Sequence, residues 1–156
     1  MCHYCGCRDM PLIRDYIAEH ERAINLGGDA VRAIDRGEPD KAVELLDAMG
    51  AELRTHWQGE ENGLFAVMGS DELFAEHIGP LVREHRELEM LLDGLDLSDP
   101  VDRDRIRTAV FDLHEHIAKE EDGLFPASLT ALAGDEWDAS MEAWHAAHPG
   151  VRMIGE

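Results

Sequence analysis

Two segments of this 156-residue chain are near copies of each other. His56-Trp57-Gln58-Gly59-Glu60-Glu61-Asn62-Gly63-Leu64-Phe65 is answered by His116-Ile117-Ala118-Lys119-Glu120-Glu121-Asp122-Gly123-Leu124-Phe125. Each opens with His-x-x-x-Glu. Residues four apart lie one turn apart on the same face of a helix, so each segment offers an imidazole and a carboxylate to one point. Two such helices facing each other gather two His and two Glu. Imidazole with carboxylate suits iron, manganese or zinc, and two carboxylates that can bridge suit a metal pair.

The repeat extends upstream, with His20 in Ala18-Glu19-His20-Glu21-Arg22 and His85 in Arg83-Glu84-His85-Arg86-Glu87. The order is His, His-x-x-x-Glu, His, His-x-x-x-Glu. A repeat of roughly 60 residues, each unit a helix pair, reads as a duplicated hairpin closing into a bundle.

Apolar periodicity agrees. A helix is expected from Asp9 and Pro11 to about Arg36, bent at Gly27-Gly28 if anywhere. A second is expected from Pro39 to Met68, stopped by Gly69-Ser70-Asp71. A short helix from Glu72 to His77 should lead into a third helix near Pro80. Asp99-Pro100 should cap a fourth, kinked or ended at Pro126, and a short last helix should run from Gly134-Asp135 to about Ala147. No stretch alternates as a strand would. The expected fold class is all-α, an up-and-down four-helix bundle with a short C-terminal helix. The expected organisation is a Cys-rich segment over residues 1–9, the bundle over 10–133, and a helix and tail over 134–156.

The net charge of −20 argues against nucleic acid and against an anionic membrane surface. No apolar run approaches the roughly 18 residues that span a bilayer. No secretory signal is legible at the N-terminus, so the expected compartment is the cytoplasm. No Ser-His-Asp order, phosphate loop or dinucleotide fingerprint appears.

The pattern His20, His56-x-x-x-Glu60, His85, His116-x-x-x-Glu120, with its Glu-Glu-x-Gly-Leu-Phe tails, resembles the hemerythrin or HHE cation-binding family over residues 10 to about 133. The resemblance implies a four-helix bundle around two iron ions, oxo- or hydroxo-bridged. It implies that His20 and His56 bind one iron, His85 and His116 the other, and that Glu60 and Glu120 bridge. Glu61 and Glu121 are then left to orient ligands or to face solvent. Oxygen-carrying members have a fifth His four residues after the third-helix His. Here that position is Glu89, an extra ligand or a solvated residue. With Glu89 outside, both metals keep open positions. The implied ligand is O₂, peroxide or nitric oxide, in oxidative-stress or iron and redox sensing. The alternatives are a di-iron enzyme, peroxide-consuming (catalase-like) or oxygen-activating, and an iron storage or delivery protein. A zinc or manganese pair would fit the same residues, and no protein partner is legible.

Glu52 and Asp112, each four residues before a ligand His, are candidates to orient those imidazoles. Trp57 is placed to shield the site, and Trp137 and Trp144 to cap the bundle. A second metal site, for zinc or another ion, could be built at the N-terminus from Cys2, Cys5, Cys7 and His3, with His145 or His148 completing it.

Overall fold

The computed structural model describes residues 6–156. After a single 3₁₀ turn at Cys7–Asp9, α1 spans Ile13–Asp35, α2 Pro39–Asn62, α3 Leu64–Met68, α4 Glu72–Asp93 and α5 Pro100–Lys119. A π-helical turn, Glu120–Leu124, joins α5 to α6 at Phe125–Ala131, and α7 spans Gly134–Ala147. Among the described residues there is no strand. The long helices α1, α2, α4 and α5 close a ring: α1 packs on α2 and α5, and α4 packs on α2 and α5. α7 lies along α2 and touches α3. No described helix is long and apolar enough to cross a membrane.

The core is divided. One apolar cluster holds Ala23, Leu53, Leu88, Leu113 and Ile117, among others. The second holds Tyr16, Leu64, Leu81, Leu124 and Phe125. On every long helix the ligand-type residues fall between the two. His20 lies between Tyr16 and Ala23, His56 and Glu60 between Leu53 and Leu64, and His85 between Leu81 and Leu88. Glu120 lies between Ile117 and Leu124. A polar layer therefore crosses the bundle with apolar packing on both sides.

α1 runs unbroken through Gly27-Gly28, and the neighbouring helices approach closely at the first of them. A Cβ on Gly27 would lie 2.9 Å from Met49 Sδ and 3.3 Å from the Val110 methyls. The start of α1 differs from expectation. Asp9 belongs to the 3₁₀ turn, and the cap comes from Asp15, which accepts the Leu12 N–H at 3.2 Å. Asp15 also accepts the Ile154 N–H at 2.8 Å, pinning the C-terminal tail to this helix start.

Three further boundaries differ. The second helix breaks at Gly63 instead of continuing to Met68. A Cβ there would sit 2.7 Å from the Gly59 carbonyl and 3.0 Å from that of Ser140, so α7 presses against bare backbone. Pro80 lies inside one continuous helix, α4. The carbonyl it leaves unbonded belongs to exposed Glu76, where water can satisfy it. Pro126 sits in the first turn of α6, where its missing N–H is tolerated, and the helical path runs on to Ala131. The caps at Asp71 and Asp99 each accept an N–H two residues on, from Leu73 and Val101.

Candidate metal centre

Each long helix contributes one imidazole to the polar layer: His20 from α1, His56 from α2, His85 from α4 and His116 from α5. They meet in pairs. Nε2 of His20 stands 3.0 Å from Nε2 of His56, and Nε2 of His85 stands 3.0 Å from Nε2 of His116.

The two carboxylates lie between the pairs. Glu120 places Oε2 3.0 Å from His20 Nε2 and Oε1 2.8 Å from His116 Nε2. Glu60 Oε2 is 3.5 Å from His56 Nε2 and 3.7 Å from His85 Nε2. His20, His56, Glu60 and Glu120 form one group of converging donors, and His85, His116 and Glu120 a second that shares Glu120. Glu120 reaches both sides from the first position of the π turn. Such turns shift side-chain phase and recur at functional sites.

The other ring nitrogens are all engaged. Nδ1 of His20 donates to Glu121 at 2.9 Å, and that of His85 to Glu61 at 2.8 Å. Nδ1 of His56 donates to Glu19 at 2.9 Å, and that of His116 to Glu84 at 2.6 Å. An ionised carboxylate only accepts, so each Nδ1 carries its hydrogen and Nε2 is the nitrogen that a neutral ring would offer to a cation. In the metal-free protein the raised proton affinity of His20 keeps a hydrogen on its Nε2 as well, facing Glu120 and His56. A cation between the rings would take the place of that hydrogen.

The proton affinities show the same demand. Burial works against charge on His20, but Glu120 and Glu121 outweigh it and its pKa stands at about 9. Burial pushes His56 below its ordinary value. Burial likewise opposes charge on His116, and Glu120 and Glu84 outweigh it. Burial, with Glu120 close by, lifts Glu60 well above the carboxylate range. Glu120 is equally buried, yet His116 and His20 hold it well below that range. All four carboxylate oxygens of Glu60 and Glu120 are buried without a well-directed hydrogen bond. Buried oxygens are rarely left so, and a metal pair would satisfy them.

Aromatic rings wall the layer. Phe125 stacks on His20 at 5.9 Å, Trp57 on His85 at 4.9 Å and Phe65 on His85 at 5.8 Å. Tyr16 meets His56 edge-on at 5.4 Å. One side is less closed. A cleft of about 410 Å³ between α4 and α5, floored by Trp57, Leu88, Leu91 and Leu113, reaches His85 and His116. Lys119 stands beside it and pairs with Glu84 at 2.5 Å.

Other expected residues go elsewhere. Glu89 pairs with Arg86 at 3.3 Å and Arg54 at 3.5 Å on the outside of the bundle. Glu52 pairs with Arg22, and Asp112 is exposed, so neither orients an imidazole. Glu61 and Glu121 do, and each is held in turn by an arginine at 2.5 Å, Arg86 and Arg8 respectively. Of the N-terminal cluster, Cys2, His3 and Cys5 lie outside the described residues, and Cys7 is disulfide-bonded. His145 faces Glu156 at 3.4 Å. His148 donates to the Trp144 carbonyl at 2.7 Å and pairs with Glu19, joining the C-terminal end of α7 to the carboxylate that holds His56.

Sequence reasoning missed Glu19 and Glu84. A signal was present: each is the acid immediately before the first His of its repeat.

Neither the curated proteins nor the solved structures contain a match to this chain. The sequence profile of the hemerythrin HHE cation binding domain matches residues 12–128, which span all six converging side chains. With that match, and with the duplicated His and Glu set assembled around one buried layer, the chain belongs to the hemerythrin HHE cation-binding family.

Proposed function

We propose that the chain holds two non-heme iron ions, through His20 and His56 on one side, His85 and His116 on the other, and Glu60 and Glu120 between them. We further propose that the pair binds or reacts with O₂, peroxide or nitric oxide, in oxidative-stress or iron and redox sensing.

One observation carries the reading: two pairs of imidazoles converge on two buried carboxylates, and the two donor groups share Glu120. Imidazole with a carboxylate shared between two sites is a donor set that suits a pair of iron ions. Two imidazoles and the two shared carboxylates would hold each ion and would leave room there for a small ligand.

Iron in such a pair supplies reversible one-electron redox steps and vacant positions for that ligand. The chain's own side chains do the rest. The carboxylates on each Nδ1 fix the tautomer and raise the basicity of Nε2. Phe65, Phe125 and Trp57 exclude bulk water. The α4–α5 cleft supplies an entrance at the His85–His116 side.

The cleft also favours a second reading, because it is larger than a diatomic needs. In that reading the protein is a di-iron enzyme, consuming peroxide or activating oxygen. Storage or delivery is the third reading, and storage would require more than two irons per chain. The test is metal content, followed by the visible spectrum of the reduced iron form on exposure to O₂ and after its removal. A band that appears and reverses supports ligand binding. Irreversible oxidation with peroxide turnover supports the enzyme. Unchanged iron content in a His56→Ala, Glu60→Ala double variant overturns the site.

A further inference from the structure

Tyr16 lies on α1 one turn before His20 and is fully buried. Its ring is clamped, stacked on Phe125 at 5.6 Å and edge-on to His56 at 5.4 Å. Its hydroxyl has no hydrogen-bond partner among the described residues. The charges it feels most strongly are those of Glu60, Glu19 and Glu120, yet it bonds to none of them. Tyr16 belongs to the apolar cluster that also holds Leu12, Ile13, Leu64 and Phe125.

A buried donor left unmade destabilises the fold, and phenylalanine would fill the same space without that penalty. The metal ligands do not need the hydroxyl either. The imidazoles are oriented by their own carboxylates, and Glu60 and Glu120 lie against imidazole nitrogens. What the position offers is a fixed, dry O–H beside the layer, at its His20–His56 end. A small anion or oxygen species bound there is an acceptor of the right kind, because hydrogen bonds to charged acceptors are the strong ones.

We propose that Tyr16 donates a hydrogen bond to the exogenous small ligand bound at the His20–His56 end of the centre. Tyr16 is thus a ligand-binding residue that the His and Glu pattern does not include. The proposal rests on the metal-pair reading. It adds that the two ends of the centre differ: the cleft opens at the His85–His116 end, while a hydrogen-bond donor waits at the other.

The test compares wild type with Tyr16→Phe in the ferric iron-loaded form, with azide as probe. Iron content is measured first. A wild type that holds no iron pair ends the metal reading, and this proposal falls with it. With iron equal in both proteins, azide should bind the variant about 10- to 100-fold more weakly, the range of a hydrogen bond to a charged acceptor. The infrared stretch of bound azide should also shift. The metal-free variant should melt no lower than metal-free wild type, because the hydroxyl has no partner within the fold. Equal azide affinity overturns the proposal. So does a lower melting point of the metal-free variant, which would make the hydroxyl structural. A tyrosinate-to-iron absorption band in azide-free wild type that vanishes in Tyr16→Phe also overturns it, making Tyr16 a direct ligand.

Discussion

Glu19 precedes His20 in the chain but serves His56 on the neighbouring helix, accepting its Nδ1–H at 2.9 Å. Glu84 repeats the relationship in the second half, preceding His85 and serving His116. Glu61 and Glu121 complete the exchange: the first serves His85 and the second His20. Each half of the duplication thus supplies one carboxylate to its own second helix and one to the other half. Glu19→Ala and Glu84→Ala are each expected to weaken metal binding about 10- to 100-fold, the usual effect of losing such a partner. Competition with a chelator of known affinity measures it. Glu52→Ala, whose carboxylate reaches only Arg22, should leave affinity unchanged.

The ligand set was legible because it is written in helical spacing. His56 with Glu60 and His116 with Glu120 share a face whatever their neighbours do. The carboxylates behind the imidazoles depend on how adjacent helices are rotated against each other, which spacing within one helix does not carry. The same one-turn reasoning therefore pointed to Glu52 and Asp112, on the right helices but facing away from the rings. The breaks were hidden for a related reason. Gly63 and Gly123 occupy equivalent positions in tails that differ only at Asn62 and Asp122, but only the first lies under α7. Its half of the repeat breaks there, while the other half bulges into a π turn.

Proton affinities set a pH signature for the metal-free protein. His20 has its pKa raised from 6.5 to about 9 despite burial, by Glu120 and Glu121. Its contribution to stability is full below about 6.5 and is lost as pH rises through about 9. Glu19 is lowered from 4.5 to about 2 despite burial, by His148 and His56. Its contribution is full above 4.5 and is lost as pH falls through about 2. Loss of the His20 contribution should lower the metal-free melting temperature as pH rises from about 6.5 to 9, and loss of the Glu19 contribution should lower it as pH falls from 4.5 toward 2. Metal binding needs His20 neutral, so loading at pH 7 should release protons. Calorimetry in two buffers of different ionisation enthalpy counts them, and no buffer dependence would refute this account.

Arg8 ties the N-terminal turn to the centre. It follows disulfide-bonded Cys7 and pairs at 2.5 Å with Glu121, which in turn holds His20. Glu121 keeps a pKa below its ordinary value although burial raises it, because His20 and Arg8 outweigh that. Arg8→Ala should weaken binding of Mn(II), a metal that thiol reductants leave unchanged, by a few-fold. The pair is partly solvated, so the effect should be smaller than that of Glu19→Ala. Cys7→Ser should act in the same direction and add little to Arg8→Ala. Independent, additive effects of the two substitutions would show that the disulfide does not act through Arg8.

The two glycines of the repeat provide an internal control for the packing of α7. Alanine generally stabilises a helical position over glycine by about 0.5–1 kcal/mol. At Gly123 a Cβ meets nothing within 4 Å, so Gly123→Ala should be neutral or stabilising. At Gly63 the same atom would stand 2.7 Å from the Gly59 carbonyl, 3.0 Å from the Ser140 carbonyl and 3.1 Å from the Ala143 Cβ. Two of these neighbours are backbone and cannot turn aside: the Gly59 carbonyl of α2 itself and the Ser140 carbonyl of α7, so the end of α2 and its contact with α7 must both shift. Gly63→Ala should destabilise by about 1–3 kcal/mol, the usual range for forced overpacking. It should also disturb the centre, because α7 leads directly into His148, and His148 pairs with Glu19. Chemical denaturation of the two variants gives the stability difference, and iron content gives the second effect. Equal stabilities for Gly63→Ala and Gly123→Ala would mean that α7 does not rest on α2 at this point.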